Sequence, residues 1–125
     1  MNIIELVFNL SIVTYSNDSR NLILNVPKKI INKFGAVSEE CCLSMVKNLA
    51  KISKSQVNVS ITGIAGPKGG SNLKPVGLVF IGAKLSSYDS EVIAKLNFGD
   101  IGRKKIQQKS VNEALKMSLS LLEDS

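Results

Sequence analysis

The chain has 125 residues, 16 Lys and Arg against 10 Asp and Glu for a formal charge of +6, two cysteines, and neither histidine nor tryptophan. That length fits one domain over residues 1–125 with a single core. No apolar run approaches the ~20 residues of a membrane span and the start MNIIELVFNL lacks a basic leader region, so a cytoplasmic location without a membrane partner is expected. Cys41 and Cys42 are adjacent, which is not zinc-ligand spacing, and with no histidine present no transition-metal site is expected. Fourteen of the 16 cations are lysines scattered along the chain. Nucleic-acid binding would need a concentrated basic face or stacking aromatics, and is not expected.

Residues Asn2 to Phe8 carry Ile3, Ile4, Leu6, Val7 and Phe8 and read as a short helix or strand that must be buried. Ser11 to Tyr15 reads as a strand, and Ser16-Asn17-Asp18 then supplies N-cap chemistry for a helix to about Leu24. In open α/β sheets ligands bind where a strand end meets a helix start, which makes Tyr15, Asn17 and Arg20 candidate binding residues. Pro27 suits the first turn of a helix bearing Ile30, Ile31 and Phe34, which Gly35 ends. Ser38 caps a further helix whose first turn holds Glu39 and Glu40, with Cys42, Met45, Val46 and Leu49 as its apolar stripe and Lys47, Lys51 and Lys54 as a solvated face. Cys42 reads as a small core residue and Cys41 as its neighbour.

Val57, Val59 and Ile61 alternate with Asn58, Ser60 and Thr62 as a strand, and a loop containing Gly63, Gly66, Gly69, Gly70, Pro67 and Pro75 leads into an apolar run from Val76. The glycines permit positive φ and close approach of a ligand to backbone N–H groups, and the prolines limit the entropy lost on ordering. Such a loop suits an anionic or amide-bearing small molecule, with Thr62, Gly63, Gly66, Gly69 and Gly70 as candidate contacts. It matches neither G-x-x-x-x-G-K-[ST] nor G-x-G-x-x-G, which excludes the generic phosphate loops. Strand Val76 to Leu85, a turn at Ser86 to Ser90 and strand Glu91 to Phe98 read as an antiparallel hairpin. A long helix then runs from about Gly102 to Leu122, with Val111, Ala114, Leu115, Ser118, Leu119 and Leu122 expected to face the sheet. Arg103, Lys104 and Lys105 crowd its start, where cations are disfavoured by ~0.3–1 kcal/mol each, so Arg103 is either part of an anion site or of a plain solvated cluster. The alternation of strand and helix signals predicts an α/β fold, a three-layer α/β/α domain with a mixed sheet of about four strands.

The segment Thr62 to Pro67 (TGIAGP), with Gly69-Gly70 and Lys74 to Gly77 (KPVG), resembles the signature of the CinA C-terminal domain family, the nicotinamide mononucleotide deamidases. VTYSN at Val13 to Asn17, GAVSEE at Gly35 to Glu40, and Phe98, Gly102, Arg103, Ile106 and Ala114-Leu115 extend the likeness over essentially the whole chain. Gln107 stands where the family has a second arginine, and one residue is inserted after Phe98. The resemblance implies a ligand such as a pyridine mononucleotide or a similar phosphate-bearing molecule, a place in NAD salvage, and no cofactor.

Family members carry a strand, turn and helix ahead of this region, with an ESCTGG segment that resembles a nucleophile loop, and no such segment occurs between Met1 and Ser125. The lysine that the family pairs with that serine as base corresponds here to Arg20. A guanidinium with a pKa above ~12 has no lone pair to accept a proton at neutral pH. No catalytic residue can be assigned, and the resemblance implies a degenerate or split member that is inactive alone. The alternative is an active amidase, deamidating nicotinamide mononucleotide to nicotinate mononucleotide, with the serine segment supplied by another chain. A fold lacking that first strand-helix unit should expose a sheet edge or an apolar face, which favours homo-oligomerisation, a partner chain supplying the missing unit, or marginal stability.

Overall fold

The computed structural model describes residues 3–7, 12–13, 26–52, 56–67, 70–86 and 91–124. Along the chain these form β1 (Ile3–Val7), β2 (Ile12–Val13), α1 (Lys28–Phe34), α2 (Glu39–Ile52), β3 (Val57–Ile64), β4 (Leu78–Leu85), β5 (Glu91–Asn97) and α3 (Arg103–Asp124). The helix expected from Ser16 to Leu24 lies outside the described residues. No described helix is long and apolar enough to cross a membrane.

The architecture is the expected α/β one, but among the described residues the sheet has five strands in the order β2-β1-β3-β4-β5 rather than about four. Every described pairing is antiparallel, where a mixed sheet was expected. The cause is the position of β1. Strands β2 and β3 run in the same direction and are joined through α1 and α2, as in a crossover unit, yet β1 lies between them and pairs with both. The helical connection therefore creates no parallel pair. The β4–β5 hairpin has the expected form, with Leu78 opposite Asn97 and Lys84 opposite Glu91.

Helices cover opposite faces of the two central strands. On one face Val59, Ile61, Val79, Ile81 and Ala83 pack with Ile106 and Ala114 of α3. On the other, Val37 and Cys42 pack with Ile64, Leu78 and Phe80. The polar row of β3 is buried under α2, so its alternation does not mark a wet face. Each of its side chains has a partner: Asn58 donates to Lys84 O (3.2 Å) and Ser86 Oγ (2.7 Å), Ser60 to Cys42 O (3.0 Å), and Thr62 to Ala36 O (2.9 Å). Buried polar groups satisfied in this way avoid the ~1–3 kcal/mol cost of an unmade bond and dock the helix in one register.

Helix α2 follows its sequence signals. Ser38 Oγ accepts from Cys41 N at 3.1 Å and donates to Gly35 O at 2.8 Å. Cys41, Cys42, Met45, Val46 and Leu49 are all fully buried. Lys47 is less free than a solvated face implies, since its Nζ lies 3.3 Å from the Glu91 carboxylate.

Helix α3 departs from expectation. Its sheet side is Ile106, Ser110 and Ala114, with Met117 and Leu121 packed beside them. Of the expected stripe, Ala114 is buried, whereas Leu115, Leu119 and Leu122 are 55%, 60% and 41% exposed. Ser110 can occupy a buried position because its hydroxyl donates to Ile106 O at 2.7 Å, one turn back.

Candidate functional site

The glycine-rich connection from β3 to β4 folds back on itself. Gly77 N donates to Ile64 O at 2.8 Å and Ser71 N donates to Lys74 O at 2.9 Å, while Ser71 Oγ accepts from Lys74 N at 3.1 Å. The Lys74 ammonium donates to Phe34 O at the end of α1, so the KPVG segment is tied to the GAVSEE segment. Gly35, which closes α1 at φ +87°, leaves room for that ammonium, since a Cβ there would lie 2.6 Å from Lys74 Nζ.

The same connection also meets the turn after β5. Phe98 N donates to Gly77 O at 3.0 Å. Gly77 has φ +97°, and a Cβ on it would lie 2.3 Å from Gly99 O, so backbone touches backbone and no side chain fits. Around this junction Pro67, Gly70, Ser71, Asn72, Pro75, Val76, Asn97, Gly99 and Asp100 line a cavity of about 590 Å³. Its polar groups are a hydroxyl, two carboxamides and one carboxylate. Asn97 Oδ1 accepts from Gly99 N at 3.1 Å and so shapes the turn. These groups can bind an amide or hydroxyl-bearing ligand. Among the described residues, the lining contains no nucleophile paired with a base.

Of the expected site residues, Tyr15, Asn17, Arg20 and Gly69 lie outside the described residues. Thr62 is fully buried, its hydroxyl donating to Ala36 O. Gly63 lies inside β3, paired with Ile4 and Val79, where a Cβ would meet Val79 Cγ2 at 2.8 Å. Both act through packing. Gly66 turns the chain at φ +82° over Val76, and Gly70 lines the cavity. Arg103 begins α3, half-buried, and is not among the lining residues. The sequence reading missed Ser71, Asn72, Asn97, Gly99 and Asp100. The Asn97-Phe98-Gly99-Asp100 run carried a turn signal that could have drawn attention to it.

Two other polar features contribute no chemistry here. Cys42 Sγ lies 3.3 Å from Ser60 Oγ, and burial pushes the thiol up to about 12, with the Ser60 hydrogen bond opposing only part of that shift. It is an unreactive core thiol. A second cavity of about 570 Å³ lies at the far end of the sheet, where Lys47 and Lys84 flank the Glu91 carboxylate at 3.3 and 3.9 Å. With Lys51 also in the lining, that carboxylate offsets one of three positive charges. Among the described residues no group of three or more His, Cys, Asp or Glu could hold a metal ion.

The fold and the glycine junction together define an α/β domain with a cavity built from loops at one end of the central strands. A family model described as the CinA C-terminal domain matches residues 4–122, and the chain belongs to that family. It is 44% identical over 112 residues to a CinA-like protein of Endomicrobium trichonymphae, covering 89% of this chain and 25% of the relative. It is 43% identical over 120 residues to a CinA-like protein of Prochlorococcus marinus strain MIT 9301, covering 95% and 28%. The chain thus spans about a quarter of the length of these curated relatives. Among solved structures, the competence/damage inducible protein of Agrobacterium tumefaciens superposes with a TM-score of 0.83 at 39% identity, over 86% of this chain and 65% of that one.

Proposed function

We propose that this chain binds a pyridine mononucleotide, or a similar phosphate-bearing small molecule, and is catalytically silent as an isolated polypeptide. The observation that carries the binding reading is the cavity of about 590 Å³ formed where the family's signature loop closes on the β5–α3 turn. Its carboxamides and hydroxyl suit the nicotinamide and ribose groups of such a ligand, and Arg20, which lies outside the described residues, is the cation proposed for its phosphate. A planar guanidinium pairs bidentately with phosphate, but it cannot serve as the base that the family's lysine supplies. The protein would then bind an intermediate of NAD salvage in the cytoplasm without turning it over.

Calorimetric titration with nicotinamide mononucleotide tests the reading. Charge-assisted contacts worth ~1.5–3 kcal/mol predict that Arg20→Ala weakens binding roughly ten- to a hundredfold and that Arg20→Lys weakens it less. Ammonia release from the mononucleotide should equal the buffer rate for all three proteins. Absence of binding by the wild-type protein, or equal binding by Arg20→Ala, overturns the proposed contact, and turnover by the isolated chain overturns its silence.

A further inference from the structure

We propose that the cavity at the far end of the sheet is a second small-molecule site, which takes the phosphate monoester of a small hydroxylated molecule. Its volume of about 570 Å³ lies in the ordinary range for small-molecule pockets. It is separate from the glycine junction, because Lys84 pairs with Glu91 at one end of the β4–β5 hairpin and Leu78 with Asn97 at the other. Six residues of extended strand set the two ends about 20 Å apart. Along α2, Ser44, Lys47, Asn48 and Lys51 stand at i, i+3, i+4 and i+7, which puts them on one side of the helix, and all four line the cavity. Lys84 and Glu91 belong to the wall contributed by the sheet.

The charges select the ligand. Among the described lining residues, three ammonium groups against one carboxylate leave +2, of which the carbonyls in the last turn of α2 cancel about half a unit. Glu91 is already engaged. One of its oxygens lies 3.3 Å from Lys47 Nζ and the other is buried 3.9 Å from Lys84 Nζ, so an entering ligand meets ammonium groups before it meets the carboxylate. Lys47 keeps half of its side chain exposed, and Lys51 is exposed one turn further along the helix. Like charges at this spacing repel, and an anion held between them relieves the repulsion. A phosphate monoester, with close to two negative charges at neutral pH, matches the local charge, whereas a single carboxylate would leave part of it uncompensated. Beyond the phosphate, the Ser44 hydroxyl and the Asn48 carboxamide, 3.5 Å apart, can exchange hydrogen bonds with hydroxyl groups on the body of the ligand.

Amide chemical shifts of the isotope-labelled full chain, followed during titration with glycerol 3-phosphate, test the assignment. A Kd of about 1 mM at low salt is expected, with the largest shifts at Asn48, Lys51 and Lys84. Binding should weaken several-fold as salt rises to ~0.2 M, since the two helix lysines are exposed. Inorganic phosphate should move the same amides with about threefold lower affinity, and glycerol should move none. Lys51→Ala should weaken binding about threefold to tenfold, and Lys51→Arg by no more than about twofold. Glu91→Gln removes the competing negative charge and should tighten binding about threefold, a change of sign that general damage to the fold does not produce. Absence of shifts at these amides up to about 20 mM, or shifts spread equally over the lysines of α1 and α3, overturns the second site. So does a Lys51→Ala chain that binds as wild type does, or a Glu91→Gln chain with its spectrum otherwise intact that binds no better. Equal affinity for inorganic phosphate overturns the hydroxylated body of the ligand. Shifts confined to Gly70, Val76 and Gly99 would put the probe in the glycine junction and overturn the second site while leaving the mononucleotide reading in place, so the two can fail separately.

Discussion

Helices α2 and α3 lie on opposite faces of the same two strands, yet they use their apolar residues in opposite ways. Helix α2, at 14 residues, buries Cys41, Cys42, Met45, Val46 and Leu49 completely, because it is sandwiched between α1 and the sheet. Helix α3, at 22 residues, fully covers only Ile106, Ser110 and Ala114 and turns three leucines outward. Hydrophobic content therefore does not report what a helix contributes to the fold. The α2 side supplies stability through burial of about 1.5–3 kcal/mol per large side chain, while the outer side of α3 leaves Leu115, Leu119 and Leu122 partly exposed.

The sharpest way to break this comparison is to remove a side chain from the α2 core. Leu49 is fully buried against Val26, Ile31, Cys41 and Met45. Leu49→Ala should cost about 2–5 kcal/mol in a urea titration, from lost transfer energy plus the cavity left behind. That is a large share of the ~5–15 kcal/mol total expected for a domain of this kind. A loss below about 1 kcal/mol would mean that α2 is not the stabilising partner argued here.

A second, smaller test also lies on α2. Burial pushes the Cys42 thiol up from 9.0 to about 12, so between those values the folded chain holds a proton that the unfolded chain releases. Stability from this group is intact below pH 9 and falls as pH rises toward 12, by at most about 1.4 kcal/mol per unit. Between pH 9 and 10, wild-type protein should lose stability more steeply than Cys42→Ala, which lacks the thiol. Equal slopes would indicate that the thiol is reached by water.

The contrast also explains what could be read in the chain beforehand. Ser38, Glu39 and the α2 stripe were legible because cap, dipole and period agree on one face. Helix α3 was misread because leucines outweigh a serine in any periodicity argument. Ser110 is the residue on the sheet, made tolerable by its bond to Ile106 O, and the leucines lie outside. The β3 strand shows the same limit, since Asn58, Ser60 and Thr62 look solvent-facing until strand β4, helix α2 and the loop before it supply their partners. In the site, the glycine loop was visible as a local pattern. Its cavity was not, because the other wall, Asn97 to Asp100, reaches it through the approach of Gly77 to Gly99, a contact between residues distant in sequence. The antiparallel sheet escaped notice for a similar reason, as nothing local in Ile3–Val7 specifies insertion between β2 and β3.

The smallest expected effect is the counterpart that gives the first its meaning. Leu119 is 60% exposed, so replacing it with alanine removes little surface that folding had taken from water. Alanine is also the better helix former by a few tenths of a kcal/mol, which offsets what is lost. Leu119→Ala should therefore change the unfolding free energy from a urea titration by no more than about 0.5 kcal/mol. Leucine-to-alanine changes of identical chemistry on the two helices would then differ several-fold in cost. If Leu119→Ala instead destabilised the chain by about 2 kcal/mol or more, that leucine would have to be packed within the fold, and the outer face of α3 would be part of the core.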